Sequence, residues 1–298
     1  GVANSGVDTT TLSYSATVTV SATAPPAETV TITSMTHDSG TSSTDFVTND
    51  GAARTVSGSI SSGLQANEVV QVSLDGGSTW SNATTSGTSW TFSDSGSHNA
   101  NWTIKAWVYN TSTLLASTVA TQAVTYVSSI VAPTVTLTTD TTDGVGTDNT
   151  DTKTSNAGLT ASTLGSVAGG TNTRTYKVDA LSASGTYTAP TADGSHTVVV
   201  TDTDVAGNTA NTSYTFTLDK TAPVLSTATV NGTSLVLTYT ESGVGLSTVT
   251  PAKTDFAVTV NGTPVLVSDV LVNTTTKTIT LTLGVGILSS DTNIKVSY

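Results

Sequence analysis

Apolar and polar residues alternate one for one in short runs along almost the whole chain, and Gly, Asn, Asp and Ser separate the runs. A period of two sends successive side chains to opposite faces of a pleated strand, so each run reads as a strand with one buried face. Runs at 29–35, 55–60, 68–74, 89–92, 101–109 and 120–126 predict a first set of strands. A second set falls at 135–139, 158–164, 173–178, 185–188, 196–202 and 211–218, and a third at 234–240, 256–260, 264–267, 277–283 and 293–298. Val and Thr recur in these runs, as expected where branched β-carbons line a half-buried pleat. No window sustains a 3.6-residue apolar period, so no helix is predicted. Asp75-Gly76-Gly77 signals a tight hairpin, and Asn-Gly pairs at 231–232 and 261–262 signal turns in the third set.

Three junctions punctuate the pattern. Ala24-Pro25-Pro26, Ala132-Pro133 and Ala222-Pro223 each stand directly before a new strand. Proline cannot donate to a sheet ladder and belongs at a strand's first residue or in the linker before it. The divisions that follow are a preceding tail at 1–24 and domains at 25–131, 132–221 and 222–298. Six or so short strands at this spacing indicate an immunoglobulin-like sandwich. The expected fold is therefore all-β, with tandem immunoglobulin-like β-sandwich domains in an extended array.

Composition narrows the function. A net charge of −12, with nine Lys and Arg in the whole chain, leaves no basic patch for a phosphate backbone. There is no cysteine, which removes disulfides, thiolate zinc sites and cysteine nucleophiles. No run reaches the 18 or so apolar residues of a membrane-spanning helix, and no leader-like stretch opens the sequence, which reads as a fragment of a larger protein.

Two stretches resemble known families. The first two domains are similar to the bacterial immunoglobulin-like repeats of biofilm-associated and RTX-type surface adhesins. The likeness is carried by the stretch from Asp38 through Asp45 to Asp50, by Val72-Ser-Leu-Asp75-Gly-Gly-Ser-Thr-Trp80, by the run from Val198 through Asp202 and Asp204 to Asn208, and by Phe216-Thr-Leu-Asp219-Lys-Thr-Ala-Pro223. The second domain lacks the Gly-Gly-x-x-Trp hairpin of the first. The third resembles the SwmB-type repeat of bacterial surface proteins, through the stretches from Thr229 to Tyr239 and from Thr254 to Gly262. These resemblances imply a bacterial, extracellular, cell-surface location.

The aspartates lie in the predicted loops, where short carboxylates supply oxygen to calcium. In an immunoglobulin-like topology the loop at 38–50 faces the next domain, and the turn at 202–208 faces back toward it. Asp38, Asp45, Asp202, Asp204 and Asn208 are then expected to share one junction. Asp140, Asp143, Asp148, Asp151, Asp193 and Asp219 are expected at the following one. Carboxylates crowded in this way repel unless a cation neutralises them, which makes Ca2+ the expected cofactor. The plainer alternative is a set of solvated turn residues, each bonded to its own backbone.

Other chemistries are less well supported. Asp193-Gly194-Ser195-His196 places acid, hydroxyl and imidazole close in sequence, but a tight turn does not line them up as a triad. Thr-x-Thr ranks that could meet ice lack a strict repeat. Sugar binding is the stronger competitor. Alternation along 101–109 puts Trp102, Ile104, Ala106 and Val108 on the core face and leaves Trp107 and Tyr109 outward, where they could stack on a glycan or be covered by a neighbouring hairpin. The expected role is a non-enzymatic, monomeric extender segment of a large adhesin, stiffened by calcium, whose partners are its own neighbouring domains and host or abiotic surfaces. A glycan-recognising segment is the alternative. A surface-layer component or an accessory region of a secreted enzyme would share this composition.

Overall fold

The computed structural model describes residues 23–140, 152–167, 170–241 and 245–298. Among them the only helical element is one 3-10 turn, Lys253–Asp255; all other regular elements are strands. Contacts divide the chain into two compact units. The first comprises Gly1–Asp38, Ser43–Phe46 and Asp50–Tyr126; the second comprises Ser39–Ser42, Val47–Asn49 and Val127–Tyr298.

In the first unit one antiparallel sheet runs in the order Val30–Met35, Arg54–Ile60, Ser89–Asp94, Thr84–Ser86. The other runs Ala120–Tyr126, Trp102–Asn110, Glu68–Ser73, Ser81–Asn82, with Leu115–Ala116 paired to Trp102–Asn110. Strict alternation decides which face turns inward. Arg54, Val56, Gly58 and Ile60 alternate with less buried neighbours, and Ile104, Ala106 and Val108 do the same. The inward faces meet in one core that includes Val56, Ile60, Val70, Val72, Trp90, Ile104, Val108 and Val124. Trp90 is its largest fully buried side chain. Its indole lies against Gly58, where an added Cβ would sit 2.0 Å from the Thr31 carbonyl oxygen and 2.3 Å from the ring.

The second unit carries two further large cores. One gathers Val135, Leu137, Ala157, Val178, Val198, Val200, Phe216 and Leu218. Its main sheet runs Lys153–Thr154, Thr209–Leu218, Gly194–Thr203, Thr173–Val178, while Val135–Leu137 pairs with Leu159–Ala161. The other gathers Leu235, Leu237, Phe256, Val258, Val267, Val270, Leu281 and Leu283. Two three-stranded sheets supply it: Val224–Thr240, Thr278–Ile287, Val267–Asn273, and Thr263–Val265, Ala257–Val260, Ile294–Ser297.

Several turns differ from the sequence-based expectation. The Asp75-Gly76-Gly77 loop is not a two-residue hairpin, because the last strand pair before it is Val72 with Ser81. Asp75 instead organises a wider loop, accepting hydrogen bonds from the Ser73 and Thr79 hydroxyls and the Ser78 and Thr79 amides at 2.6–2.9 Å. No strand forms at 185–188. Tyr187 is held there by its side chain, its hydroxyl donating to the Ala157 carbonyl at 2.6 Å and its ring packing on Tyr176. The strand Val267–Asn273 escapes the alternation rule because a bulge between Val267 and Asp269 breaks its register.

The two Asn-Gly pairs behave as turns. Asn261 and Gly262 both have positive φ, 49° and 84°, which is the type I′ geometry, and they join Ala257–Val260 to Thr263–Val265. Val224–Thr240 contains the other pair. A straight strand of that length would span about 50 Å, yet the Thr240 hydroxyl lies 3.3 Å from the Val224 carbonyl. The segment therefore doubles back on itself, and Gly232, with φ at 60°, lies at its middle.

Replacing Gly58 by Ala should lower the stability of the first unit by about 3 kcal/mol, since Thr31 and Trp90 leave the methyl no room. The urea midpoint of the variant, followed by Trp fluorescence, measures it.

Candidate functional site

The turn at 202–208 is densely bonded. Asp202 stands one residue before the end of the strand Gly194–Thr203, opposite Arg174, its partner in the ladder. The guanidinium closes on the carboxylate as a fork, with Nε donating to Oδ1 at 2.6 Å and Nη2 to Oδ2 at 2.7 Å. Nη1 donates to the Ser162 carbonyl at 2.6 Å. The fork raises the Arg174 pKa, chiefly through the hydrogen bonds the guanidinium donates to Asp202. Asp204 is 2% exposed. Its Oδ1 accepts from the Asn208 amide and its Oδ2 from Asn208 Nδ2, both at 2.9 Å. Asn208 Nδ2 also donates to the Val127 carbonyl at 2.9 Å, and its Oδ1 accepts from Asn49 Nδ2 at 3.1 Å.

Asp193 and Asp219 come together around Thr221. Asp193 accepts from the Lys220 amide at 2.8 Å and from the Thr221 hydroxyl, while Asp219 accepts from the Thr221 amide at 3.2 Å. The Thr221 hydroxyl is the main cause of the lowered Asp193 pKa. In the first unit Asp38 accepts from the Phe46 amide at 3.1 Å, and Asp45 is exposed. Asp140 is partly buried at the end of a described stretch. Asp143, Asp148 and Asp151 lie outside the described residues. Among the described residues no three acidic or imidazole side chains form a group fit to hold a metal ion.

All three histidines pair with aspartates, a pattern that their isolated placement in the sequence did not disclose. His37 Nδ1 meets Asp50 at 2.6 Å, His98 Nε2 meets Asp94 at 2.8 Å, and His196 Nδ1 meets Asp179 at 2.8 Å. His98 stacks on Trp102, over which the buried Arg54 guanidinium lies at 4.5 Å. The second nitrogen of His196 lies 2.8 Å from the Ala192 carbonyl. Both of its ring nitrogens are thus engaged, and neither faces Ser195 as a base would.

The outward residues Trp107 and Tyr109 belong to a stack of three rings. Trp80, from the Asp75 loop, lies parallel to Trp107 with centroids 3.8 Å apart. Tyr109 stands 6.2 Å away from Trp107. The Trp107 indole donates to Gln71 at 3.1 Å, and that of Trp80 to the Gly77 carbonyl at 3.1 Å. The neighbouring hairpin therefore contributes a ring to the surface on which a sugar would have to lie.

Residues 218–298 match the SWM_repeat family, described as "Putative flagellar system-associated repeat". The SwmB-type resemblance of the third domain falls within that match. No curated protein matches the chain. Among solved structures, one from a 1.5-MDa bacterial ice-binding adhesin is 16% identical, covering 87% of this chain and 87% of its own, with a TM-score of 0.37. A tetra-tandem repeat from the extending region of a large adhesion protein is 19% identical over 91% of this chain and 69% of its own, at 0.28. The D1–D4 ectodomain fragment of ICAM-5 is 14% identical over 90% and 74%, at 0.36.

Two measurements probe these contacts. Changing Arg174 to Met strands the Asp202 carboxylate in a nearly closed environment and should cost the second unit about 3–5 kcal/mol; chemical denaturation reads the loss. The second concerns His196. Burial pulls its pKa down, but the hydrogen bonds to Asp179 and the Ala192 carbonyl outweigh that and raise it above 6.5. Asp179 is lowered by the same contact with His196 and by the Thr197 amide. A raised imidazole contributes stability that is complete below about pH 6.5 and fades as pH climbs through its folded value. The lowered carboxylate sets the acid limit, its contribution being lost as pH falls from about 3.8 through the folded value. The melting temperature should therefore fall between about pH 6 and 8 in the natural chain, and less so in His196→Gln.

Proposed function

We propose that the chain is a non-enzymatic spacer segment of a large bacterial cell-surface adhesin, carrying load between an anchoring part and an adhesive part. The observation that carries this reading is that the described residues form three large hydrophobic cores in chain order, each built from β-strands. A chain pulled from its ends then opens core by core and lengthens in steps. The cysteine-free, acidic, Ser- and Thr-rich composition suits an exposed surface location, and the SWM_repeat match at 218–298 agrees with the resemblance to surface-protein repeats. Among the described residues no helix is long and apolar enough to cross a membrane.

Calcium belongs to this proposal through Asp143, Asp148 and Asp151, an acidic run in sequence that lies outside the described residues. The glycan-binding alternative is weakened by the ring stack, because Trp80 lies flat on Trp107 and leaves that face closed to a sugar.

Single-molecule pulling on the whole chain tests the reading. Three unfolding steps are expected, each releasing roughly 300 Å of chain at about 3.5 Å per residue. Calcium should raise the force of one step, and chelation should lower it. One concerted rupture, or binding to a glycan array that Trp107→Ala abolishes, would count against a spacer.

A further inference from the structure

The segments Ser39–Ser42 and Val47–Asn49 belong to the second unit, although they lie in sequence between strands of the first. Their contacts there are specific. The Ser39 hydroxyl donates to the Ala206 carbonyl at 2.8 Å and accepts from the Asn49 amide at 2.8 Å. Asn49 reaches Asn208, and the Val127 amide donates to the Thr48 carbonyl at 2.9 Å. Val47, Val127 and Ala206 form a small buried cluster, packed by Val167 and Val205. Gly40, with φ at 92°, passes so close that an added Cβ would fall 1.8 Å from the Val205 carbonyl oxygen. Only glycine permits that approach.

The side chains this turn itself offers a divalent ion are Asp202, Asp204 and Asn208, and calcium takes roughly six to eight oxygens. Both oxygens of Asp202 are held by the Arg174 fork, and a guanidinium repels a second cation beside it. Both oxygens of Asp204 accept from Asn208. The single ligating atom of Asn208, Oδ1, accepts from Asn49. With every one of these side-chain oxygens committed to a protein donor, and a guanidinium beside two of them, this side-chain set does not fit calcium.

We infer that the turn from Asp202 to Asn208 is a cation-free latch, in which Asn208 and Ser39 close a polar rim around the Val47, Val127 and Ala206 plug. The latch fixes Ser39–Ser42 and Val47–Asn49 by hydrogen bonds and apolar packing alone, whatever the ion content of the medium. It stands independently of the spacer reading, since it concerns how one turn is held and not what the chain connects.

Hydrogen exchange at the amides of Asn49, Val127 and Asn208, followed by NMR on the whole chain, tests it. Rates should agree within about twofold between millimolar calcium and excess chelator. Ser39→Ala should speed exchange at Asn49 by about tenfold, and Asn208→Ala should do so at Asn49 and Val127. Should Asn208→Ala fail to fold, the milder Ser39→Ala and the chelator arm decide. Exchange that quickens about tenfold in the natural chain on chelation alone would show that a cation closes the turn. Unchanged rates in Ser39→Ala would remove the hydroxyl from the latch and overturn the proposal.

Discussion

Side-chain alternation across a pleated strand is the constraint on which the remainder of this protein depends. With no disulfide and few aromatic residues, each core is assembled mainly from aliphatic side chains projecting from one face of each strand, around one or two buried rings. A slip of one residue in Arg54–Ile60 would turn Val56 and Ile60 to solvent and bring Thr55 and Ser57 inward. Burial of one face therefore forbids a slip of one, and the turns hold the strands against a slip of two, which would keep the same face inward. The type I′ pair at Asn261-Gly262 sets one hairpin, and the Asp75 carboxylate organises another loop through four hydrogen bonds.

The same constraint explains what was legible in the sequence. Strands with unbroken alternation, such as Trp102–Asn110 and Thr173–Val178, can be placed from the pattern alone, and the inward set Ile104, Ala106 and Val108 follows from it. Where a bulge interrupts the period, as at Val267–Asn273, the pattern gives no signal although the strand is as real as its neighbours. At 185–188 the residue types suit a strand, but the hydroxyl and ring of Tyr187 hold the segment without a ladder. Local propensity does not register a side chain that finds its partner 30 residues away.

Aspartates in loops are ambiguous for a related reason. A carboxylate near a turn serves equally as a metal ligand or as an acceptor for nearby amides, and sequence position does not separate the two. The distinguishing features are distant residues. Arg174 stands 28 positions before Asp202, and Asn49 lies 159 positions before Asn208. Basic residues are so few in this chain that a guanidinium placed across a ladder from an aspartate was the one available hint, and it becomes visible only once the register is known. Alternation puts Trp107 and Tyr109 on the face opposite Ile104, Ala106 and Val108, but the ring against Trp107 comes from the Asp75 loop, whose path no periodicity specifies.

The loop organised by Asp75 has a consequence for how the first unit meets acid. Four donors converge on one carboxylate and depress its pKa far below that of an ordinary aspartate, with the Thr79 hydroxyl the largest cause. The loop that carries Trp80 keeps its four hydrogen bonds to this carboxylate below the pH at which an ordinary aspartate takes up its proton. The loop therefore keeps its support beneath the three stacked rings well into acid, where their fluorescence and near-ultraviolet signal report on it.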